Sequence, residues 1–462
     1  MLRGGAIALI AAAALSGCAL GSKPQPAAPI HINKDPFPST YVRYPGVPTL
    51  IRGATIFDGE GGRFDKGDIL IADGVVKAVE ASLMIPEGTN VIDGTGKYVT
   101  PGIIDVHSHL GVYPSPAVES TQDGNEMTGP IHADVWAEHS IWPQDPGFSR
   151  ALVNGGVTTL QILPGSGNLI GGRSVTLKNV PSRTMQGMKF PGAPYGVKMA
   201  CGENPPRNYG ARNQMPGTRM GNIALVRETW IKAQAYKRKW DAYERKGGEM
   251  PGRDLNLDTL RGVLAGEILV QNHCYRAEEM AMMLDMAKEF GYHVTSFHHA
   301  TDAYKVADLL RENGTCASVW ADWYGFKIES YDGIRENLAL LEKAGACATI
   351  HSDDANGIQR LNQEVAKALA AGRRAGINIS DERAWTWLSF NPAKVLGVQD
   401  RTGSLKPGKM ADVILWNGNP FSVYSRPEKV WIDGALLSDI DNPRLHPVSD
   451  FELGQPGEGD TK

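Results

Sequence analysis

The chain has 462 residues, too many for one small domain and enough for one large barrel with additions. Its formal net charge of −4 gives no electrostatic basis for binding nucleic acid or another strongly anionic partner. The hydrophobic and charged fractions, 42% and 21%, are those of an ordinary folded protein.

The first 18 residues read as a lipoprotein signal peptide. Met1, Leu2 and Arg3 give a short positive start, and residues 6–15 form an apolar run too short to span a bilayer as a mature helix. The run ends in "LSGC", which resembles a bacterial lipobox with Cys18 as the lipidated residue; an ordinary signal peptide is the alternative. Ala19 rather than Asp follows, which points to the outer membrane. The expected location is therefore the cell envelope, lipid-anchored and facing the periplasm. Residues 19–47, rich in Pro and polar residues, read as a tether. No later segment has the length and apolarity of a transmembrane helix.

Residues 48–99 alternate apolar and polar positions, broken by Asp-Gly and Gly-Gly turns, the pattern of β-hairpins. The same texture returns over 396–440, so the two pieces are expected to join as one small β-sandwich. Residues 441–462 read as a flexible tail. Between the two pieces, over 100–395, strand-like runs alternate with helical stretches such as "AEEMAMMLDMAKEFG" and "NQEVAKALAAGRRAG". Repeated strand then helix is what a (β/α)8 barrel of the TIM type requires, giving an α/β fold class overall. The long charged stretch "NIALVRETWIKAQAYKRKWDAYERKGG" reads as a solvated helix. Cys201, Cys274, Cys316 and Cys347 are too widely spaced for a zinc finger; they are taken as small buried residues, their pairing left open.

Several strand-like runs end in groups able to do chemistry. "GIIDVHSH" delivers Asp105, His107 and His109 on one face, since side chains alternate along a strand. "EILVQNHC" delivers His273, "YHVTSFHHA" delivers His298 and His299, and "CATIHSDD" delivers His351, Asp353 and Asp354. Imidazoles and carboxylates converging at strand ends are costly when unpaired, and a divalent metal, zinc above all, satisfies them together. "PGSGNLIGG" lacks the Gly-Lys-Ser/Thr of a phosphate loop and reads as a turn near the mouth, and no Gly-x-Ser-x-Gly nucleophile elbow is present. His132 and His139 lie in a Pro-flanked insertion and read as surface or lid residues.

"PGIIDVHSH", the later strand-end histidines, the late "SDD" and the closing "GSLKPGKMADVILW" together resemble the amidohydrolase superfamily of metal-dependent hydrolases. "LPGSGNLIGGRSVTLK", "KMACGENPPRNYG" and "RAEEMAMMLDMAKEFG" are most similar to its imidazolonepropionase-like and Xaa-Pro dipeptidase-like branch. The resemblance implies His107 and His109 as first-strand ligands, His273 as the fifth-strand ligand, and Asp353 as both ligand and proton shuttle. His298 and His299 compete for the sixth strand; His299 is preferred because "HATDAYKVADLL" continues as the family does. Binuclear relatives bridge two metals with a carboxylated Lys or a Glu. Glu203, at the end of "GVKMACGEN", is preferred over Lys198, which is early in its strand; one ion or two stays open.

His351, Arg207 and Tyr209 are candidate substrate contacts, the first alternatively supporting a ligand from behind. The implied reaction is hydrolysis of a C–N bond in an amide, cyclic amide or dipeptide of a small molecule. The alternatives are a deaminase of a small heterocycle and a non-catalytic metal- or ligand-binding lipoprotein. The implied partners are the substrate and, through the lipid, a membrane; nucleic acid is not among them, and a homo-oligomer stays open.

Overall fold

The computed structural model describes residues 31–445; the predicted signal peptide, Cys18 and most of the tail lie outside the described residues. Five strands come first: β1 (Thr49–Phe57), β2 (Arg63–Ala72), β3 (Val75–Glu80), β4 (Asn90–Asp93) and β5 (Tyr98–Pro101). Eight central strands follow, beginning with β6 (Ile103–Ser108), β7 (Val157–Ile162), β8 (Ile170–Lys178) and β9 (Gly196–Ala200). They continue as β10 (Leu269–Cys274), β11 (Val294–His299), β12 (Cys316–Val319) and β13 (Ala348–Ile350). The last three are β14 (Val413–Trp416), β15 (Pro427–Ile432) and β16 (Ala435–Asp439).

The two end segments meet in one eight-stranded sheet, ordered β16-β15-β14-β5-β1-β2-β3, with β4 also on β1. Gly53, at φ +67°, breaks β1 so that its first half pairs with β4 and its second with β5. Along β14, Val413 and Leu415 enter one apolar cluster while Ile414 and Trp416 enter another, the period of two a strand imposes. The second cluster continues into the barrel through Leu160, Ile162 and Val175; the first is built from the sheet's own Ile51, Ile69 and Trp431. Lys178, fully buried on β8, reaches Asp433 at 2.9 Å and Asp412 at 3.6 Å, fixing barrel to sheet by charge as well.

The central strands lie in the order β13-β12-β11-β10-β9-β8-β7-β6, a nearly closed barrel sheet. One strand departs from the all-parallel expectation: β8 runs antiparallel to both neighbours. Seven residues link β7 to β8, too few for the helical crossover a parallel pair needs, so the chain turns straight back. At the seam between β13 and β6, the backbone N–H of Ile104 donates to Leu388 and that of Ile350 to Trp387, wedging the lower half. The upper half is closed by Asp105, whose carboxylate accepts from the N–H groups of His107 and Ser352 and from the Ser352 hydroxyl. Burial pushes the Asp105 carboxyl up to about 7, against those donors.

The helix Arg219–Lys246 is not solvated all round as its charge suggests. Val226, Trp230, Ala233, Trp240 and Tyr243 fall at helical spacing and are buried along one face. Among the described residues, no helix is long and apolar enough to cross a membrane.

The four cysteines are paired rather than free: Cys201 with Cys274 across the ends of β9 and β10, and Cys316 with Cys347 beside β12 and β13. The second bond joins positions 31 residues apart. Loop-closure entropy for that span predicts that the Cys316→Ala/Cys347→Ala variant loses about 3–4 kcal/mol of unfolding free energy, read as a lower denaturant midpoint.

Candidate metal centre

The C-terminal ends of the barrel strands bring His107, His109, His273, His299, Asp353 and Lys198 to one cavity of about 330 Å³. His107 and His273 are the next-to-last residues of β6 and β10, His299 ends β11, and Asp353 follows β13. His299 and Asp353 hold left-handed backbone at φ +71° and +55°, a conformation non-glycine residues adopt at a cost and keep where the surroundings enforce it. For Asp353 the enforcing contact is its N–H on the His107 carbonyl, at 2.9 Å.

Hydrogen bonds fix which ring nitrogens carry protons. The Gln271 amide donates from Nε2 to the Val395 carbonyl, so its Oε1 is the atom facing His298 Nε2 at 2.8 Å. An oxygen can only accept, so His298 carries its proton on Nε2 and its Nδ1 is a lone pair. That lone pair lies 3.0 Å from His107 Nδ1, which must then donate, leaving the lone pair of His107 Nε2 directed at the cavity. His109 is fixed the same way: Nδ1 donates to the Leu163 carbonyl at 2.8 Å, freeing Nε2. His298 therefore orients His107 from below, while His299 faces the cavity.

The outcome is a cluster of imidazole and carboxylate acceptors in which Lys198, at 3.0 Å from His107 Nε2, is the neighbouring donor. Asp353 Oδ1 lies 3.1 Å from His109 Nε2 and 3.4 Å from His107 Nε2, and Asp353 Oδ2 lies 3.8 Å from His299 Nδ1. The Nδ1 atoms of His273 and His299 are buried without a hydrogen-bond partner, as is that of His351, which carries its ring's proton because Nε2 accepts from the His299 N–H. Two overlapping triads, His107–His109–Asp353 and His107–His299–His351, have ligand atoms close enough for one ion each. Orphaned imidazole nitrogens beside a carboxylate fit a divalent cation.

Burial, with the charge of Lys198 second for His107, His273 and His298, holds all the buried rings well below the usual histidine range; His351 falls to about 3. They are neutral, as ligands must be. Burial alone would raise Asp353, but the His109 ring beside it and the charge of Lys198 bring it below the usual carboxylate value.

Other sequence-predicted residues fall elsewhere. Glu203 does not join the cluster: it sits beyond Gly202, immediately before the helix Asn204–Gly210, with its carboxylate 3.6 Å from Lys327. Lys198 takes the inner position, fully buried, with Nζ 3.0 Å from His107 Nε2. Arg207 lines the cavity; Tyr209 does not, because its hydroxyl donates to the Gly129 carbonyl at 2.5 Å and accepts from Asn168. His351 lies behind the cavity wall, its Nε2 accepting from the His299 N–H at 3.2 Å.

The Gly-rich turn places Ser166 at the mouth, hydrogen-bonded to Asn204. Tyr275, Phe326 and Lys327 also line the cavity and were not singled out from sequence. For Phe326 and Lys327 the aromatic loop "WADWYGFK" after β12 was the one visible signal.

The amidohydrolase family pattern matches residues 262–437. The amidohydrolase TasK of Hapsidospora irregularis is 30% identical over 433 residues, covering 85% of this chain. The chain spans 43% of that relative's length. The imidazolonepropionase of Klebsiella pneumoniae is 24% identical over 373 residues, 77% of this chain and 87% of the relative. The crystal structure of an amidohydrolase from Thermotoga maritima superposes with a TM-score of 0.78 at 34% identity, over 85% of this chain and all of that one. With that identity across the whole of a solved amidohydrolase, and strand-end histidines and aspartate gathered at one barrel mouth, the chain belongs to the amidohydrolase superfamily.

Proposed function

We propose that the protein is a metal-dependent hydrolase that cleaves an amide, cyclic amide or dipeptide bond of a small molecule, with zinc as the ion. The observation that carries this is the pair of lone-pair nitrogens His109 Nε2 and His107 Nε2, 3.1 and 3.4 Å from Asp353 Oδ1, a set of acceptors that a cation satisfies. His107, His109, His273, His299 and Asp353 would hold the ion, with Lys198 against His107, the residue both triads share. When bound, such an ion lowers the pKa of its water from 15.7 toward about 7 and polarises a carbonyl.

The chain's own residues do the rest. Asp353, ionised at neutral pH, accepts a proton from the attacking water and returns it to the leaving nitrogen. Lys198 is pushed by burial down to about 8, with Asp353 opposing, so roughly one tenth is neutral amine at pH 7. A neutral amine adds carbon dioxide, forming an N–C bond and releasing a proton, which gives the carboxylated lysine of binuclear relatives. Arg207 and Lys327 supply positive charge at the rim, suited to a substrate carboxylate. Lys327 is shared with Asn204, Glu203 and Glu329, whereas Arg207 has no carboxylate partner among the described residues.

We also place the protein in the cell envelope, lipid-anchored through Cys18. The lipobox-like sequence supports this, as do two disulfides, which belong to oxidising compartments.

A panel of N-acyl amino acids, Xaa-Pro and other dipeptides, and cyclic ureides, assayed with zinc or manganese, tests the reaction. Release of a free amino acid supports it, ammonia release supports the deaminase, and no turnover of any compound supports a binding protein. For substrates bearing a carboxylate, Arg207→Ala is expected to raise KM about 10- to 100-fold, the worth of a charge-assisted pair, with kcat little changed. Amidated analogues should show no such rise in KM.

A further inference from the structure

A second cavity, of about 760 Å³, opens beside β8 and the start of β9, and shares no lining residue with the barrel mouth. Most cations lining it are engaged by acids: Lys34 with Glu267, Lys237 with Asp241, Arg253 with Asp258 and Arg261 with Glu244. Arg173 is the exception. It is 7% exposed, and among the described residues it has no carboxylate partner.

Arg173 Nε donates to the Thr259 hydroxyl at 2.8 Å, and the guanidinium lies 4.0 Å from the Trp136 ring centre and 5.5 Å from that of Tyr195. Its terminal nitrogens make no hydrogen bond among the described residues, which leaves their N–H groups without a protein acceptor beside the cavity. The acids that feel its charge are already taken: Asp258 by Arg253, and Asp35 and Glu138 by Lys189. A cation withdrawn from water without a counter-ion is expensive, and burial accordingly lowers its proton affinity.

The walls beside it are flat. His139 stacks on Trp136 at 5.4 Å and 12°, and Phe37 meets the His139 ring edge-on at 4.7 Å. Phe37 and the His139 side chain are 40% and 46% exposed, so both rings keep surface free for contact.

We propose that this cavity is a second small-molecule site, which binds a planar organic monocarboxylate with its carboxylate on the Arg173 guanidinium and its apolar body against Phe37 and His139. A monoanion fits better than a phosphate dianion because the lining carries five acids against five bases, and only the pairing of Asp134 with His132 outside it leaves a single guanidinium unmatched. The planar fork of Arg matches the planar carboxylate.

Isothermal titration of the full chain with indole-3-acetate tests this, in an Arg207→Ala background so that the barrel mouth does not compete. One molecule is expected to bind per chain, with indole-3-acetamide at least tenfold weaker and Arg173→Gln weakening indole-3-acetate at least tenfold. Phe37→Ala, at an exposed ring whose removal the fold tolerates, is expected to weaken it severalfold and decides the matter if Arg173→Gln does not fold. Absence of binding at millimolar probe, equal affinity for acid and amide, or unchanged affinity in either variant overturns the proposal.

Discussion

Asp353→Asn is expected to leave the protein folded and to lower kcat by about 10²–10⁴-fold, the share that a positioned proton-transfer group contributes. The substitution preserves shape. The backbone N–H on the His107 carbonyl stays, and the side-chain amide can still meet His109 Nε2 by donating its N–H. What disappears is the capacity to accept a proton, because an amide is not protonated near neutral pH. The pH profile carries a second readout. Asp353 is held below the usual carboxylate value, so the wild-type kcat/KM should fall on acidification only beneath that range, as the carboxylate takes up a proton. In the Asn variant that acid limb should vanish from the residual rate. A variant that keeps its metal and turns over at the wild-type rate would remove Asp353 from the mechanism.

The strand-end residues were legible in the sequence because two local rules act together. A buried apolar run fixes where a strand lies, and alternation fixes which of its last residues share a face. That sufficed for His107, His109 and His273, each of which lines the mouth. For adjacent His298 and His299, alternation places them on opposite faces without saying which face meets the cavity. The answer depends on Gln271 and Val395, distant in sequence, which turn His298 into a support for His107.

The placement of Tyr209 was hidden for a related reason, since its partner Gly129 comes from the insertion after β6. The reversal of β8 was hidden because "IGGRSVTLK" is as good a strand in either direction; the seven-residue link before it was the usable signal. Tyr275 and Lys327 reach the mouth from different loops, and nothing local to either announces that they meet.

The contest between Lys198 and Glu203 turned on the same limit, and it yields the other large effect. Counting residues toward the strand end favours Glu203, but β9 ends at Ala200 and Gly202, at φ +81°, bends the chain outward. Glu203 is carried past the mouth to Lys327, while the long side chain of Lys198 rises through the barrel to His107. Lys198→Met is therefore expected to lower bound metal per chain and to cut activity by about 100-fold or more, since its Nζ meets His107, which both triads share. It should fold as well as the wild type or better: Met has a similar shape and removes the cost of a buried ammonium, as a thermal melt would show. Glu203→Gln should keep its metal and stay within about threefold of wild-type activity, because it breaks only a partly exposed ion pair. If Glu203→Gln instead loses the metal and Lys198→Met keeps it, the bridging position belongs to the carboxylate at the strand's end after all. The helix start that now carries Glu203 would then have to turn inward when metal binds.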